Sequence, residues 1–505
     1  MKIRIISLVL AAVLAVSLAG CAGNQKTSAK TKTQVPAAGT AAAQTAEKQE
    51  TGAQTAPSGQ TAWTLVPGTP LVYGKTNEPA GTTAPPAEDG TLLFELHTDD
   101  FSLVVRGMSE ESGHPFFGDY YALQYVFENK TARKVYMNWD LISVCGWVLP
   151  QAIYAPVEPG ETEDSSFCIP KVFLKNYGVE SPDEVRFRLT VKDYEDEDAA
   201  PVYDQYVALY PTGKTPEEIV PAVHPLAKEG VVIADTEEFR FILVPKQMDE
   251  GISTHFLVLL ANKTDHELRF RWSEVGANGY SVAEYVPEDE YYINGAILPP
   301  HSQQVEYLEV VIGALRRFGS GRVESLSFHL DVFDHPFTGE ETKLYSINPI
   351  LFPTGKASED VRIPAVPERP EKKVLFENED VTLIVLEEFD AGCGTRYLTV
   401  YAENRSGKDV IVSLHGITVN GAENRMDETF LLLAGKRTLG LFLVDPVISP
   451  EDADGSPEEI RFLMDIRRED GTVLVQDAEC LIQFSEVFQE EWLTEEECTD
   501  YDSAP

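Results

Sequence analysis

Alternating apolar and polar positions flank the same short polar turn at three places in the chain. The turns carry Asn129, Asn262 and Asn404, in the segments Phe-Glu-Asn-Lys-Thr, Leu-Ala-Asn-Lys-Thr and Ala-Glu-Asn-Arg-Ser. Apolar residues lie two, four and six positions before each Asn, and they return six, eight and ten positions after it. A period of two on both sides of a polar turn predicts a β-hairpin with one buried face. The pattern therefore predicts a tandem β-repeat protein.

The three copies agree well beyond this hairpin. A dipeptide ending in Gly follows each Asn at the same distance, as Cys145-Gly146, Asn278-Gly279 and Asn420-Gly421, and Asn-Gly is a strong hairpin signal. A Gly or Pro turn and a late alternating strand come next in each copy. Seven or eight short strands in about 120 residues predict a β-sandwich. The predicted sandwiches span residues 91–213, 229–355 and 372–484, hereafter repeats 1, 2 and 3.

The first 21 residues have the layout of a targeting segment. Lys2 and Arg4 precede a mostly apolar run that is too short for a stable membrane span, and the run closes with Leu-Ala-Gly-Cys21. This order resembles the bacterial lipoprotein signal, in which cleavage precedes the Cys and lipid is attached to it. The resemblance implies a lipid on Cys21 and a place on the outer face of the cell membrane. An ordinary secretory signal that happens to contain a Cys is the alternative.

The segments on either side of the repeats are polar. Residues 22–90 begin with a stretch rich in Ala, Thr, Gln, Lys and Gly and continue with added Pro and Gly, so we predict a disordered tether. Residues 485–505 hold eight acidic side chains and no basic one, which predicts a solvating acidic tail.

The charge balance excludes some partners. The formal net charge of the chain is -41. Binding to phosphate backbones requires clustered Lys and Arg, so nucleic acid is not an expected partner. The same charge argues against a basic patch on an anionic bilayer, which leaves the lipid on Cys21 as the expected membrane contact. Such acidity serves solubility, although a cationic ligand or Ca²⁺ is compatible with it.

Five cysteines remain after Cys21. Outside the cytoplasm disulfides are permitted, and Cys145 could pair with Cys168 while Cys393 could pair with Cys480. Free buried thiols are an equally good interpretation. The chain has no CxxC and no Cys/His cluster with zinc spacing, so we predict no metal site.

With these residues placed, the repeats resemble the immunoglobulin-like extracellular domains of Gram-positive lipoproteins of unknown function. The shared features are the Asn-x-Thr/Ser hairpin, the following Asn-Gly turn and a late strand such as Glu184-Val-Arg-Phe187. The resemblance implies an all-β fold of three tandem immunoglobulin-like sandwiches and display at the cell surface. It implies no reaction. The Cys…Trp…Cys spacing of antibody domains is absent.

The sequence offers little catalytic chemistry. The nine His are scattered, and no zincin spacing, Gly-x-Ser-x-Gly or phosphate loop is present. We therefore expect no enzyme activity and no cofactor. The three Asn-x-Thr/Ser triplets fit a glycosylation acceptor, but their position in one turn favours side-chain hydrogen bonds to the backbone.

Aromatic residues on loops are the best candidates for contact with a ligand. One group precedes the marker hairpin of repeat 1, and the other lies in a stretch of about seven extra residues in repeat 2. The candidates are Phe116, Phe117, Tyr120, Tyr285, Tyr291 and Tyr292. Packing within the sandwich is the alternative for most of them.

These observations favour a lipid-anchored extracellular protein that acts as a binding or adhesion module or as a spacer. Its partner would be a protein or polysaccharide at the cell surface. The alternative is an accessory lipoprotein that senses or inhibits an extracellular enzyme, or that supports envelope assembly.

Overall fold

The computed structural model describes most of the three repeats. The described residues are 44–45, 92–114, 118–196, 199–250, 253–282, 295–311, 313–317, 322–335, 341–354, 373–390, 396–423, 427–444 and 459–483. Most of them lie in strands, nearly all paired antiparallel, that form packed sheets. The prediction of an all-β fold built from tandem β-sandwiches is confirmed. The predicted signal segment, most of the predicted tether and the acidic tail lie outside the described residues.

Repeat 1 contains two sheets and one short helix. Its first sheet has the order β2-β3-β4-β8, and its second has β10-β9-β5 with β6 and β7 also on β5. The elements are β2 (Phe94–His97), β3 (Phe101–His114), β4 (Gly118–Asn129), β5 (Val135–Val144), β6 (Trp147–Val148), β7 (Ile153–Val157), β8 (Thr162–Pro170), α1 (Lys171–Asn176), β9 (Val185–Asp193) and β10 (Tyr203–Leu209).

Repeat 2 copies this arrangement. Two 3₁₀ helices, η1 (Pro216–Glu218) and η2 (Pro225–Glu229), precede it. The first sheet is β11-β12-β13-β17, and the second contains β14, β18 and their neighbours. A two-residue strand β1 (Gln44–Thr45) pairs with β20. The elements are β11 (Val231–Asp235), β12 (Phe239–Glu250), β13 (Ser253–Asn262), β14 (Leu268–Ala277), β15 (Tyr280–Ser281), β16 (Gly295–Leu298), β17 (Gln303–Val311), α2 (Gly313–Arg317), β18 (Leu326–Asp334), β19 (Thr342–Ile347) and β20 (Pro349–Leu351).

Repeat 3 has the same two sheets. The first is β21-β22-β23-β27, and the second is β29-β28-β24 with β25 and β26 also on β24. The elements are β21 (Lys373–Glu377), β22 (Val381–Asp390), β23 (Arg396–Asn404), β24 (Val410–Val419), β25 (Ala422–Glu423), β26 (Glu428–Leu432), β27 (Arg437–Val444), β28 (Glu459–Arg468) and β29 (Val473–Gln483).

The inward-facing residues of the two sheets form the core of each repeat. In repeat 1 the alternating set Val135, Met137 and Trp139 on β5 is fully buried, and Trp139 stacks on Phe187 with 4.0 Å between ring centroids. The same positions of repeats 2 and 3 are buried in their own cores. The sequence alternation thus marks the inner face of each sandwich, where burial of apolar area stabilises the fold.

Tight turns end the fifth strand and its equivalents. Cys145, Asn278 and Asn420 have φ of 48°, 52° and 50°, and the Gly after each has φ between 81° and 84°. Two successive positive φ values define the type I′ hairpin turn, which Asn-Gly adopts readily. Cys145 holds this conformation at a non-Gly, non-Asn position, so repeat 1 carries backbone strain there.

The sheets continue from one repeat to the next. β6 of repeat 1 pairs in parallel with β17 of repeat 2, and β15 of repeat 2 pairs in parallel with β27 of repeat 3. Each contact joins the short strand that follows the tight turn of one repeat to the last strand in the first sheet of the next repeat. The repeats are therefore linked by backbone pairing as well as by their connectors. No helix among the described residues is long and apolar enough to cross a membrane.

Candidate functional site

Most of the residues predicted to contact a ligand lie outside the described part of the chain. This group comprises Phe116, Phe117, Tyr285, Tyr291 and Tyr292, together with the lipid-attachment residue Cys21 and the cysteine Cys393. Tyr120 is described. It lies near the tip of the β3–β4 hairpin, opposite Glu111, and its half-buried ring meets His114 edge-on at 5.6 Å. Tyr120 therefore lies within strand β4 and not on a loop as the sequence analysis expected, and its contact with a ligand stays a prediction.

The predicted disulfide between Cys145 and Cys168 is not formed. Both are free thiols. Cys145 is buried at the tight turn, and its Sγ donates to the Ser181 carbonyl oxygen at 3.3 Å. Phe167 and Ile169 are buried in the core, so Cys168 between them faces the other side of the sheet. Because Cys145 is buried and Cys168 points to the outer side of its sheet, the two sulfur atoms cannot reach bonding distance. Burial raises the pKa of Cys145 to about 11, which keeps it a neutral thiol.

Cys480, predicted to pair with Cys393, is also a free thiol. It lies on β29 opposite Phe462 and packs against the core of repeat 3. Burial raises its pKa above the ordinary thiol value. The described cysteines therefore behave as small apolar residues.

The three marker Asn side chains are buried and hydrogen-bonded. Asn262 is fully buried; its Nδ2 donates to the carbonyl oxygens of His266 at 2.7 Å and Leu298 at 3.0 Å. Its Oδ1 accepts from the Thr264 amide at 2.9 Å and hydroxyl at 2.7 Å. Asn129 and Asn404 make the corresponding bonds. The prediction of a structural turn residue is confirmed, and the amides are not exposed for glycosylation.

The junction between repeats 1 and 2 is built around one aromatic residue. Trp147 follows the tight turn and is only 1% exposed. Its ring stacks on Tyr177 with 5.2 Å between centroids, and its Nε1 donates to the Ala222 carbonyl oxygen of the connector at 3.0 Å. The Gln303 amide of repeat 2 donates to the carbonyl oxygen of Gly146 at 2.6 Å. The Trp147 side chain thus joins repeat 1 to the connector, and the backbone of the adjacent turn joins repeat 1 to the edge of repeat 2.

A polar network forms a second contact between the same repeats. Arg188 makes a bidentate pair with Asp204, at 2.8 and 2.9 Å, on the outer face of repeat 1. Glu267 of repeat 2 is buried against it, and accepts a hydrogen bond from the Tyr206 hydroxyl at 2.7 Å. Asp140 lies in the same network. Burial raises its pKa to about 6, and repulsion from Glu267 and Asp204 adds to the effect while Arg188 opposes it.

Because of the buried carboxyl groups at this junction, we expect the free energy of unfolding to rise as pH falls. Burial also raises the pKa of Glu306 on β17 to about 7, and it raises the pKa of Glu267. Because the folded state binds these protons more tightly than the unfolded chain, stability is gained as pH drops through the folded pKa values. His224 opposes this, since burial lowers its pKa to about 4 and its penalty grows below its ordinary value of 6.5.

We therefore expect Tm to increase between pH 8 and about pH 6.5, mainly because Glu306 takes up its proton there. The expected rise is at most about 2–4 °C, the shift that ~1 kcal/mol produces in a unit of 150–250 residues, because protonation of His224 in the unfolded chain offsets part of the gain. Scanning calorimetry across this range measures it. General relief of negative charge acts in the same direction, so Glu306→Gln is the control. A variant with the same pH slope as the wild type would show that Glu306 is not responsible.

The junction between repeats 2 and 3 repeats the aromatic contact. Tyr280 occupies the position of Trp147, is 1% exposed, and meets Tyr401 of repeat 3 edge-on at 6.3 Å. It lies in one hydrophobic cluster with Ile384, Leu386 and Leu439 of repeat 3. The corresponding residue of repeat 3 is Ala422, a half-buried methyl group. The aromatic residue is therefore present in the two repeats that a further repeat follows, and absent from the last.

The surface that receives the aromatic residue shows a matching difference. It is the outward face of the first sheet, and one row of three paired residues crosses it in each repeat. The rows are Ile242, Leu259 and Val305 in repeat 2; Ile384, Tyr401 and Leu439 in repeat 3; and Val104, Val126 and Asp164 in repeat 1. The first two rows are apolar and mostly buried.

In repeat 1 the same surface is more polar. Asp164 is exposed, and the next row carries Gln124 and an exposed Ser166. Arg106 nearby is also exposed. A polar outer face is typical of the terminal unit in a soluble repeat array.

These junction residues were missed in the sequence, although a signal exists. Trp, Tyr and Ala directly follow the aligned turns at positions 147, 280 and 422. The run from Phe256 to Ala261 is apolar at every position, and all of β13 is buried. A continuous apolar run is typical of a strand covered on both faces.

Comparisons with known proteins add little to this description. No protein-family model and no curated protein matches the chain. Among solved structures, β-glucuronidase 2 of Bacteroides uniformis matches with 12% identity and a TM-score of 0.14, covering 46% of this chain and 26% of that one. The SafA pilin of Salmonella enterica in complex with the SafB chaperone matches with 12% identity and a TM-score of 0.12, covering 50% of this chain and 98% of that one. A β-D-mannosidase from Dictyoglomus thermophilum matches with 10% identity and a TM-score of 0.15, covering 51% of this chain and 36% of that one.

The chain thus spans about a quarter of the glucuronidase and about a third of the mannosidase. TM-scores this low carry no inference about activity. What the fold and the junctions define is a tandem array of three β-sandwiches.

Proposed function

We propose that the protein is a lipid-anchored surface protein of the cell exterior that acts without catalysis, as a binding module or as a spacer for one. The observation that carries the proposal is the difference between the ends of the array and its interior. Interior faces are apolar and closed by Trp147 or Tyr280, whereas the outer face of repeat 1 and the turn of repeat 3 lack these features.

Fixed junctions suit a protein that holds a surface at a set distance from its anchor. The buried aromatic residues and the continuous sheets restrict movement between repeats, because separating them would expose apolar area and leave backbone groups unpaired. The lipoprotein-like signal ending at Cys21 supplies the anchor in this proposal. The tips of the hairpins, including Tyr120 in repeat 1, supply the contact surface.

Replacing Cys21 with Ala tests the anchor. We expect the wild-type protein in the membrane fraction of the producing cells and the variant in the medium or the soluble fraction, because one residue would carry the lipid. Immunoblotting of both fractions measures the distribution. Cys168→Ala, which removes a half-buried thiol of repeat 1, is the matched control and should not change it. Unchanged fractionation of the Cys21 variant would rule out the anchor.

Crosslinking and pull-down from intact cells tests the binding function. Recovery of a surface protein or polysaccharide supports the binding module, and loss of that ligand with Tyr120→Ala would place the contact at the hairpin tip. Recovery of a single envelope enzyme, with a change in its activity, would instead support the accessory lipoprotein that senses or inhibits an enzyme.

A further inference from the structure

We propose that repeat 3 carries a binding site for a divalent transition metal, with Zn²⁺ as the best match. The ligands are His415, Asp465 and Asp477, on the neighbouring strands β24, β28 and β29. His415 Nε2 lies 3.7 Å from a carboxylate oxygen of Asp465 and 3.7 Å from one of Asp477. One donor atom from each residue lies within 4.8 Å of the other two. The site is independent of the proposed surface function.

Strand irregularities bring the three side chains together. The pairing of β24 with β28 shifts register just after His415, and the pairing of β28 with β29 shifts between Met464 and Ile466. Asp477 lies in the second irregularity with φ of 46°, and its amide donates to Asp465 Oδ1 at 2.8 Å. A β-bulge re-aims the side chain of its extra residue. Here it turns the Asp477 carboxylate toward Asp465 and His415 on the outer face.

The other two repeats provide an internal comparison at the same place. In repeat 1 the outer face has Asp204, which Arg188 holds at 2.8 and 2.9 Å. In repeat 2 it has Asp331, which Lys343 contacts at 2.7 Å and His329 at 3.0 Å. In repeat 3, no Lys or Arg among the described residues forms an ion pair with Asp465 or Asp477. In repeat 3 two adjacent carboxylates therefore face one imidazole. In repeats 1 and 2 an Arg or Lys side chain pairs with the carboxylate instead.

The donor set and the spacing suit a metal ion better than a direct ion pair. At 3.7 Å the imidazole and carboxylates are beyond hydrogen-bond distance. Zinc takes His nitrogen at about 2.0–2.1 Å and carboxylate oxygen at about 2.0–2.2 Å in a tetrahedron, which requires only a small closure of these ligands. One imidazole with two carboxylates and no thiolate favours Zn²⁺ among common ions. The half-exposed His415 leaves a fourth position for water.

Titration of the full-length protein with ZnCl₂ tests the site. Many surface carboxylates bind zinc weakly, so the measured quantity is the difference between variants in calorimetric stoichiometry and affinity. We expect His415→Ala and Asp465→Asn each to lose one equivalent, or at least tenfold in affinity at that site, since even outer-shell partners of a metal are worth roughly 10–100-fold. His329→Gln removes an imidazole that contacts Asp331 on the outer face of repeat 2, and it should bind zinc as the wild type does.

Thermal unfolding provides the second measurement. Because zinc would bind the folded state, it should raise the Tm of the wild type and of His329→Gln, and not that of His415→Ala. The zinc-free Tm of each variant establishes that it folds. Equal zinc stoichiometry and equal zinc-dependent Tm shifts in the wild type and both repeat 3 variants would overturn the proposal.

Discussion

Trp147→Ala is expected to lower the free energy of unfolding by about 3–5 kcal/mol, the usual cost of removing a fully buried Trp. The substitution removes the stack on Tyr177 and leaves the Ala222 carbonyl oxygen without its indole donor. Because the ring joins repeat 1 to the connector, the loss should appear first at the junction. Urea unfolding of the full chain measures the total effect, and hydrogen exchange of the 214–228 connector reports the local one.

Two variants make this result specific. Tyr154→Ala removes a ring that is 54% exposed on the same repeat, and it should change the urea midpoint little. Trp147→Phe keeps a stacking ring without the N–H donor and should fall between the two. If Trp147→Ala and Tyr154→Ala have equal midpoints and equal exchange in the connector, the ring does not hold the junction.

Asn262→Ala is expected to cost about 2–4 kcal/mol, because it removes several buried hydrogen bonds to the backbone at once. The carbonyl oxygens of His266, Leu298 and Pro299 each lose the Asn262 amide as a donor, and the Thr264 amide loses its acceptor. Asn262→Asp should be at least as damaging at neutral pH, since a carboxylate cannot donate to these oxygens. Chemical denaturation with fluorescence detection measures both.

Asn176→Ala is the matched control, because Asn176 is exposed at the end of a short helix. Asn129→Ala and Asn404→Ala should each destabilise their own repeat to a similar extent, as they make the same bonds. A midpoint for Asn262→Ala as high as that for Asn176→Ala would contradict the structural role of the marker.

The inner faces of the sandwiches could be predicted from the sequence because they depend on local alternation. In each strand an apolar residue at every second position identifies the buried face, and the aligned turns show where the strands end. The three Asn residues could be placed for the same reason, since their bonds to the Thr or Ser two residues later lie within the turn. These features need no knowledge of which repeat packs on which.

The junctions required that knowledge. Trp147 and Tyr280 are single aromatic residues after a turn. The sequence around them does not indicate that they pack at a junction with another repeat. Of the two interpretations left open for Cys145 and Cys168, the structure has the free thiols, because the alternation of β8 turns Cys168 away from the core. The cluster of His415, Asp465 and Asp477 depends on two register shifts, which the sequence pattern does not reveal.

The row of outward-facing residues also limits how such a chain can change its length. Repeat 2 alone combines an apolar receiving face, with Leu259 and Val305, and a turn that carries an aromatic residue, Tyr280. A duplicate of repeat 2 placed after itself would bury every apolar surface it introduces. A duplicate of repeat 1 would present the exposed Asp164 to Trp147, and a duplicate of repeat 3 would offer only Ala422. Of the three units, repeat 2 is therefore the one whose duplication would leave no new apolar face in water.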